Sequence, residues 1–569
     1  MNEKTPYNPY PQYTIRYGQI KTGYPSLCEF LNSHPSMIWF LDGPSTLNWH
    51  YLCRELLKRL KDYIFFDFSS CRISTSELVN LLSGLNLDSS PFGKYFQGHI
   101  CEFFDHEKIY SFKSSIKKFV KKNNRVICFG FGCSLISVEN SAHAWIEPAS
   151  VEIEMISSED RLSLLACPPF SPQKSFEYVD SSLIRKQRSN LMDKLDLYID
   201  AHSPESPVFI DGISFRKNMD YLSTQPIRPR PIFYSKTWGG QWMKRHLKIG
   251  KQLSNIAGSF EFAQKENRIC VAQNNAYLEI PLETLIDHSP QNILGRPIYQ
   301  RFGSEFPLRL NLTDTIAGED LSCQVHPTEA YCKQQFGLNA VMDEKYYVIR
   351  SKKNAKINLG FKDQIDLSEF RKKVELARDN AIAFDTNQYI QEWQSLKGGI
   401  FYIPPGTVHF IGSGNLVMEI ISSNTLYTFR LYDHLRKRDD GKKRSLHILE
   451  AWGTLDQTIQ SKLVNTSLIP EVSPFIEMEH WKEYSPKPFR NSYTKITLII
   501  FSNIYSGDTR GEKFHLLSFV DGKNITVASS AGNHPLNFLE TLLIPASTGP
   551  YTLTNYSTDF CTILITTII

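Results

Sequence analysis

The sequence predicts a multidomain chain: an α/β domain built on a parallel sheet, then a mainly-β region with a helical insertion. Three observations predict it. Residues before Pro204 alternate apolar strand runs with stretches of helical spacing. A Pro-rich stretch follows, Ser203-Pro204-Glu205-Ser206-Pro207 and then Pro226, Pro229 and Pro231. Beyond it, short β-type runs dominate to the C-terminus. At 569 residues the chain exceeds one ordinary core, so about two to four domains are expected.

The first part reads as strand, turn, helix, strand. Ile38-Trp39-Phe40-Leu41 is a buried-strand run ending in the turn Asp42-Gly43-Pro44-Ser45. Leu52, Leu56, Leu57 and Leu60 stand near helical spacing, and strands follow over Tyr63 to Phe68 and Val126 to Phe131. That order predicts a parallel sheet. The turn resembles the start of the phosphate loop of small nucleoside or nucleotide kinases. A working G-x-x-x-x-G-K-[ST] loop needs a second glycine, a lysine and a hydroxyl. Counted from Gly43, those places hold Asn48, Trp49 and His50. The domain therefore reads as a degenerate P-loop fold, or as an α/β domain that never had the loop. No nucleotide is expected in either case. Proline without periodicity marks a connection. The expected divisions are residues 1–225, 226–478 and 479–569.

The second part carries two short motifs. One is Gln324-Val325-His326-Pro327, with Glu344 downstream before Tyr346-Tyr347-Val348-Ile349. The other is Ile403-Pro404-Pro405-Gly406-Thr407-Val408-His409. On a strand, Gln324 and His326 share a face. Three strands can thus bring two imidazoles, one carboxylate and one amide oxygen together, a mixed set suited to zinc or a similar divalent ion. Between the motifs Asp366 is a helix cap with Glu369 as its capping-box partner. Phe370, Val374 and Leu376 are the expected buried face, and Trp393 is expected in a later helix-like piece.

From about Ile227 onward the chain resembles the type I mannose-6-phosphate isomerases, zinc-dependent enzymes of the cupin class. The pieces occur in the family's order: Trp238-Gly239-Gly240, Phe306-Pro307-Leu308, Leu321 to Pro327, Glu344 before Tyr346, the Pro405 to His409 turn, Tyr427-Thr428-Phe429-Arg430-Leu431-Tyr432-Asp433, and Leu446-His447-Ile448. The resemblance implies a double cupin. Its second barrel carries no metal: the Leu543-Ile544-Pro545-Ala546 turn echoes the first motif without a histidine after it. It implies one Zn2+ per chain on Gln324, His326, Glu344 and His409, with Arg430 as the catalytic cation. Trp238 and Arg309 are the expected substrate-binding residues, and a small sugar phosphate the expected substrate. Two family lysines are replaced, by Asn311 and Met342, which removes positive charge that a sugar phosphate would meet. Arg309 and Lys345 are the nearby cations. The same resemblance therefore admits a metal-dependent isomerase of another sugar, or a lapsed sugar-binding or regulatory protein.

Composition narrows the rest. A formal net charge of +4 without a basic stripe gives no reason to expect nucleic acid. The eleven cysteines show no C-x-x-C pair and read as buried reduced thiols of a cytoplasmic protein. No apolar run approaches a membrane span.

Overall fold

The computed structural model describes residues 7–88, 91–148, 164–167, 169–423, 425–438, 441–471, 474–487 and 492–569. The chain forms two compact units that are not contiguous in sequence. One holds Gln12–Leu222 with Ile269–Ser289; the other holds the described residues up to Pro11, Ser223–Arg268 and Pro290–Ile569.

The first unit is a seven-stranded sheet. From edge to edge its strands are Lys21–Thr22, Val208–Asp211, Leu197–Ala201, Ser141–Pro148, Ile38–Asp42, Arg125–Phe129 and Tyr63–Asp67. The five strands from Leu197–Ala201 to Tyr63–Asp67 pair in parallel. Ile38–Asp42 lies among them and is buried along its whole length, as a near-continuous apolar run requires. The helix Trp49–Leu57 buries Leu52 and Leu56, whereas Leu57 is 46% exposed. The two-layer core gathers Leu27, Leu31, Trp39, Leu41, Leu52, Leu56, Ile127 and Ile199.

The Asp42 turn is buried from Asp42 to Leu47, and its amides are used internally. The Asp42 carboxylate accepts from the N–H groups of Gly43, Gly132 and Ser134 and from Gln187 Nε2 at 2.8 to 3.1 Å. Burial still raises its pKa, to about 6. Ser45 donates to Asp180 Oδ1 at 2.6 Å. Leu47 N closes onto Pro44 O, and the Trp49 ring packs 6.1 Å from that of Phe129.

The second unit contains two pairs of sheets. In the first pair, six strands run Ile400–Ile403, Glu344–Ser351, Asn415–Ile421, Arg309–Asp314, Gly258–Phe262 and Ile232–Tyr234. Five run Ile390–Gln394, Lys356–Phe361, His409–Ile411, Cys323–Val325 and Phe429–Tyr432. All pairings are antiparallel. The second pair occupies the C-terminus, with six strands (Ile476–Glu477, Trp481–Tyr484, Thr494–Phe501, Cys561–Ile568, His515–Asp521, Thr541–Ile544) and four (Ile504–Asp508, Pro550–Asn555, Asn524–Ser529, Gly532–Asn537). Ile499, Leu517, Val527, Leu542 and Leu553 fill the space between them.

The expected helix is Leu367–Asn380. Asp366 caps it by accepting from the N–H groups of Ser368 and Glu369. Its buried face is Phe370, Val374 and Ala377; Leu376 is only half-buried. Trp393 is not helical: it lies in the edge strand Ile390–Gln394 and donates its indole N–H to Leu359 O at 3.0 Å. A single Trp in a polar stretch does not reveal a two-residue period, so the sequence left that strand unread. Among the described residues no helix is long and apolar enough to cross a membrane. All eleven cysteines are free.

Inside the first unit Arg188, 3% exposed, lies 3.2 Å from Glu147 and also binds Glu283, while Arg185 pairs with Asp287 at 2.6 Å. Arg188→Met is expected to take the Arg188 cation from buried Glu147, leaving Glu283 to Arg185 at 3.9 Å, and to destabilise this unit by roughly 3–5 kcal/mol. Denaturant unfolding followed by near-UV circular dichroism checks this; an unchanged first transition would refute it.

Candidate metal centre

The site is assembled by strand register. Gln324 is paired with His409 on one side and with Arg430 on the other. Directly paired residues of antiparallel strands project to the same face, so the three side chains form a row across the five-stranded sheet. His326 follows two residues after Gln324, just beyond the strand's end. Glu344 opens its strand in the six-stranded sheet, paired with Ile403 and Ile421. The turn before His409 is locked to the other histidine: Gly406 N donates to His326 O at 2.8 Å. Gly406 has φ +84°, and a Cβ there would sit 2.8 Å from Thr454 O, so glycine is required on both counts.

His326, Glu344 and His409 are buried and offer ligand atoms that all lie within 4.8 Å of one another. Glu344 Oε2 is 3.2 Å from His326 Nε2 and 3.4 Å from His409 Nε2. The other ring nitrogens are held by backbone carbonyls, His326 Nδ1 by Tyr427 O at 2.7 Å and His409 Nδ1 by Thr407 O at 2.8 Å. A proton on each Nδ1 donates to its carbonyl and leaves the Nε2 lone pair facing the carboxylate. That is the tautomer a metal needs, fixed in advance by groups outside the site. The Gln324 amide nitrogen stands 3.4 Å from His409 Nε2, and its oxygen accepts from Ser322. A half-turn of the amide presents the oxygen to the cluster. Two imidazoles, a carboxylate and an amide fit a divalent metal.

The charges are tightly coupled. Burial works to raise the Glu344 pKa, but the charge and hydrogen bond of His326, with that of His409, outweigh it and hold the carboxyl at about 2. His326 is raised: burial opposes its charge, and Glu344 overcomes that. His409 is lowered, first by burial.

Arg430 is half-buried and binds only neutral acceptors: Nε donates to Ser445 O at 3.0 Å, and Nη2 lies 3.3 Å from His447 Nε2. Asp433 is engaged elsewhere, by Arg436 at 2.7 Å and Arg444 at 3.1 Å. Glu419 instead accepts from Thr313 and Asn311. Among the described residues no carboxylate lies within ion-pair distance of Arg430. Burial, and then the like charge of Arg444, lower its pKa to about 10.

Arg309 shares the Asn311 face, donating from Nε to Asn311 Oδ1 at 3.2 Å, but it is paired with Glu266 at 2.7 Å and stacked on Phe260. Lys345 is saturated by Asp343 at 2.6 Å and Ser492 at 2.8 Å. Met342 is buried, and its sulfur accepts from Tyr427 N at 3.3 Å, bracing the carbonyl that orients His326. Trp238 is buried at 6% exposure, and its neighbours have a packing role. Any Cβ on Gly239 or Gly240 would strike Asn255 or Asp314.

One residue of this interior was overlooked as a site residue. Glu419 is paired with Asn311 and with Tyr346, which shares a face with Glu344 two residues before it. Burial, and then the negative charge of Glu344, raise its pKa to about 7. A lone carboxylate inside the apolar run Val417-Met418-Glu419-Ile420-Ile421 was the available signal.

Zinc added to metal-stripped protein is expected to raise Tm, by linkage worth about 2.7 kcal/mol at a hundredfold excess over Kd. His409→Ala and Glu344→Gln are each expected to remove that shift together with the bound metal. Calorimetry with elemental analysis checks it, and wild-type metal content in His409→Ala would refute the ligand set.

Comparison with known proteins adds independent findings. Residues 23–224 match a domain of unknown function, DUF8485. A Bacillus subtilis protein described as a probable mannose-6-phosphate isomerase, GmuF, is 26% identical over 58% of this chain and 96% of its own length. The mannose-6-phosphate isomerase ManA of the same organism is 31% identical over 40% of this chain and 67% of its own. Among solved structures, the mannose 6-phosphate isomerase from Bacillus subtilis aligns at 20% identity with a TM-score of 0.49, covering 60% of this chain and 99% of that one. In its C-terminal part this chain belongs to the mannose-6-phosphate isomerase family.

Proposed function

We propose that the C-terminal part is a zinc-dependent aldose–ketose isomerase that interconverts mannose 6-phosphate and fructose 6-phosphate, with one zinc per chain. The observation that carries this reading is the convergence of His326, Glu344 and His409 on one point, with an arginine in the same sheet row that has no carboxylate partner among the described residues. The double-cupin architecture of the family accommodates the two sheet pairs, the second without a metal-ligand cluster among the described residues.

His326, Glu344, His409 and Gln324 would hold the zinc, which when bound supplies Lewis-acid polarisation of the sugar oxygens. The reaction moves a proton between adjacent carbons through an enediolate. Arg430 opposes the negative charge that develops on those oxygens, a role in which losing a fixed donor costs about 10²- to 10³-fold in rate. Glu419, held by Thr313 and Asn311 beside Tyr346, is the carboxyl of this interior suited to take and return the proton. Trp238 and Arg309 contribute walls and charge to the substrate pocket. The N-terminal unit takes no nucleotide at the Asp42 turn, because that turn is buried and flanked by the Asp42 and Asp180 carboxylates.

One specific observation favours a second reading. Asn311 and Met342 are uncharged, Lys345 is saturated, and Arg309 is tied to Glu266. With these engaged, Arg430, which has no carboxylate partner among the described residues, suits a less charged sugar, or sugar binding without turnover.

Zinc-loaded full-length protein is expected to turn over both sugar phosphates in a coupled assay. Chelator should abolish activity, Arg430→Ala should lower kcat by about 10²-fold or more, and Glu419→Gln should lower kcat with metal retained. Turnover of the unphosphorylated sugar at equal or higher kcat/KM would replace the first reading by the second. Activity that survives metal removal would sink both catalytic readings.

A further inference from the structure

We propose that His447 is a positioning residue that fixes the direction of the Arg430 guanidinium through the acceptor nitrogen of its ring. The inference rests on the reading of Arg430 as the cation that meets the substrate's negative charge.

His447 is tied to Arg430 from several sides. Its backbone N–H donates to Arg430 O at 2.8 Å. Its ring Nε2 lies 3.3 Å from Arg430 Nη2 and is the nitrogen placed to accept from it; Nδ1, 3.3 Å from the Arg430 backbone N, then carries the ring's one proton. The residue is 6% exposed, and its carbonyl accepts from Ala451 N as the N-cap of the helix Ile448–Thr454. The imidazole therefore stands on a fixed base, set by a helix start and a strand. The Ser445 carbonyl completes the bracket by accepting from Arg430 Nε at 3.0 Å. Two neutral acceptors thus hold Nε and Nη2, and among the described residues no further acceptor engages the rest of the planar fork.

A neutral acceptor is what this place demands. A carboxylate would orient the guanidinium equally well but would cancel its charge. An imidazolium has no lone pair to offer. Burial, and then the charge of Arg430 itself, press the His447 pKa down to about 3, so the ring stays neutral. One ring nitrogen keeps its proton, engaged by the Thr428 backbone, and the other accepts. The ring also packs edge-on to Phe429 at 6.5 Å between centroids, which limits its rotation.

Zinc-loaded full-length wild type, His447→Phe, His447→Gln, Arg430→Ala and the double variant His447→Phe/Arg430→Ala are compared by turnover of mannose 6-phosphate. Binding of inorganic phosphate is measured on each by calorimetry. His447→Phe keeps the ring and loses the acceptor. It is expected to weaken phosphate binding and kcat by roughly tenfold to hundredfold, the range of a hydrogen bond to a charged group, with zinc content unchanged. His447→Gln, which restores an acceptor, is expected to recover most of that loss. In the Arg430→Ala background His447→Phe is expected to add no further loss, because a residue acting through Arg430 has nothing left to position. Losses that add in the double variant, or equal losses in the Phe and Gln variants, would overturn the proposal. If wild type turns over no sugar phosphate while phosphate binding follows the expected pattern, the isomerase reading falls and the positioning role stands.

Discussion

The buried Glu344 carboxylate between two imidazoles is the constraint on which the site depends. A carboxylate taken out of water is unstable unless it is neutralised or paired. Here it is paired from across the gap between two sheets, by His326 and His409 on the opposite layer. The arrangement asks for one positive charge at that point. Glu344 raises the pKa of His326 against its burial, while burial, and then the charge of His326, lower that of His409. A divalent ion would supply that positive charge with a better match to three donors. Register follows from this demand. Shifting the Gln324–His409 or Glu344–Ile421 pairing by one residue would turn the ligands to the outer face and put apolar side chains against the carboxylate.

The same physics gives the opposite result in the N-terminal unit. The Asp42 turn and Asp180 also bury carboxylates, but these accept from backbone N–H groups and from Gln187 and Ser45 rather than from an open constellation of donors. Such a carboxylate staples a turn. Trp49, standing where a phosphate-binding loop has lysine, is packed against Phe129.

What could be read from the sequence follows from how local each signal is. The four ligand-type residues were legible because each sits in a short motif whose turn chemistry is written in adjacent residues, such as Pro405-Gly406 before His409. The parallel sheet was legible in the alternation of apolar runs and helical spacing, although the strands Ser141–Pro148, Leu197–Ala201 and Val208–Asp211 were not. Trp393 was misread because an edge strand such as Ile390–Gln394 is half-exposed and carries no clean alternation. The discontinuity of the two units was not legible, since Ile269–Ser289 joins residues far away in the chain by tertiary contact alone. Nor was the state of each cation. Arg309, Lys345 and Arg430 look alike in a sequence, and only coordinates show which are already paired.

That difference among cations carries the functional argument furthest. Arg188 is matched by Glu147 and Glu283, Arg228 by Glu540, Arg309 by Glu266, and Arg436 by Asp433. In each the charge lost from water is recovered from a carboxylate, as stability alone requires. Among the described residues Arg430 breaks the pattern, although Asp433 lies three residues away and is consumed by two other arginines. A desolvated guanidinium held by a carbonyl and a neutral imidazole is less stable than a paired one, so packing does not explain it. Departures of this kind concentrate where a protein binds something. An anion brought by a ligand would complete the arrangement, in the same sheet row as Gln324 and His409.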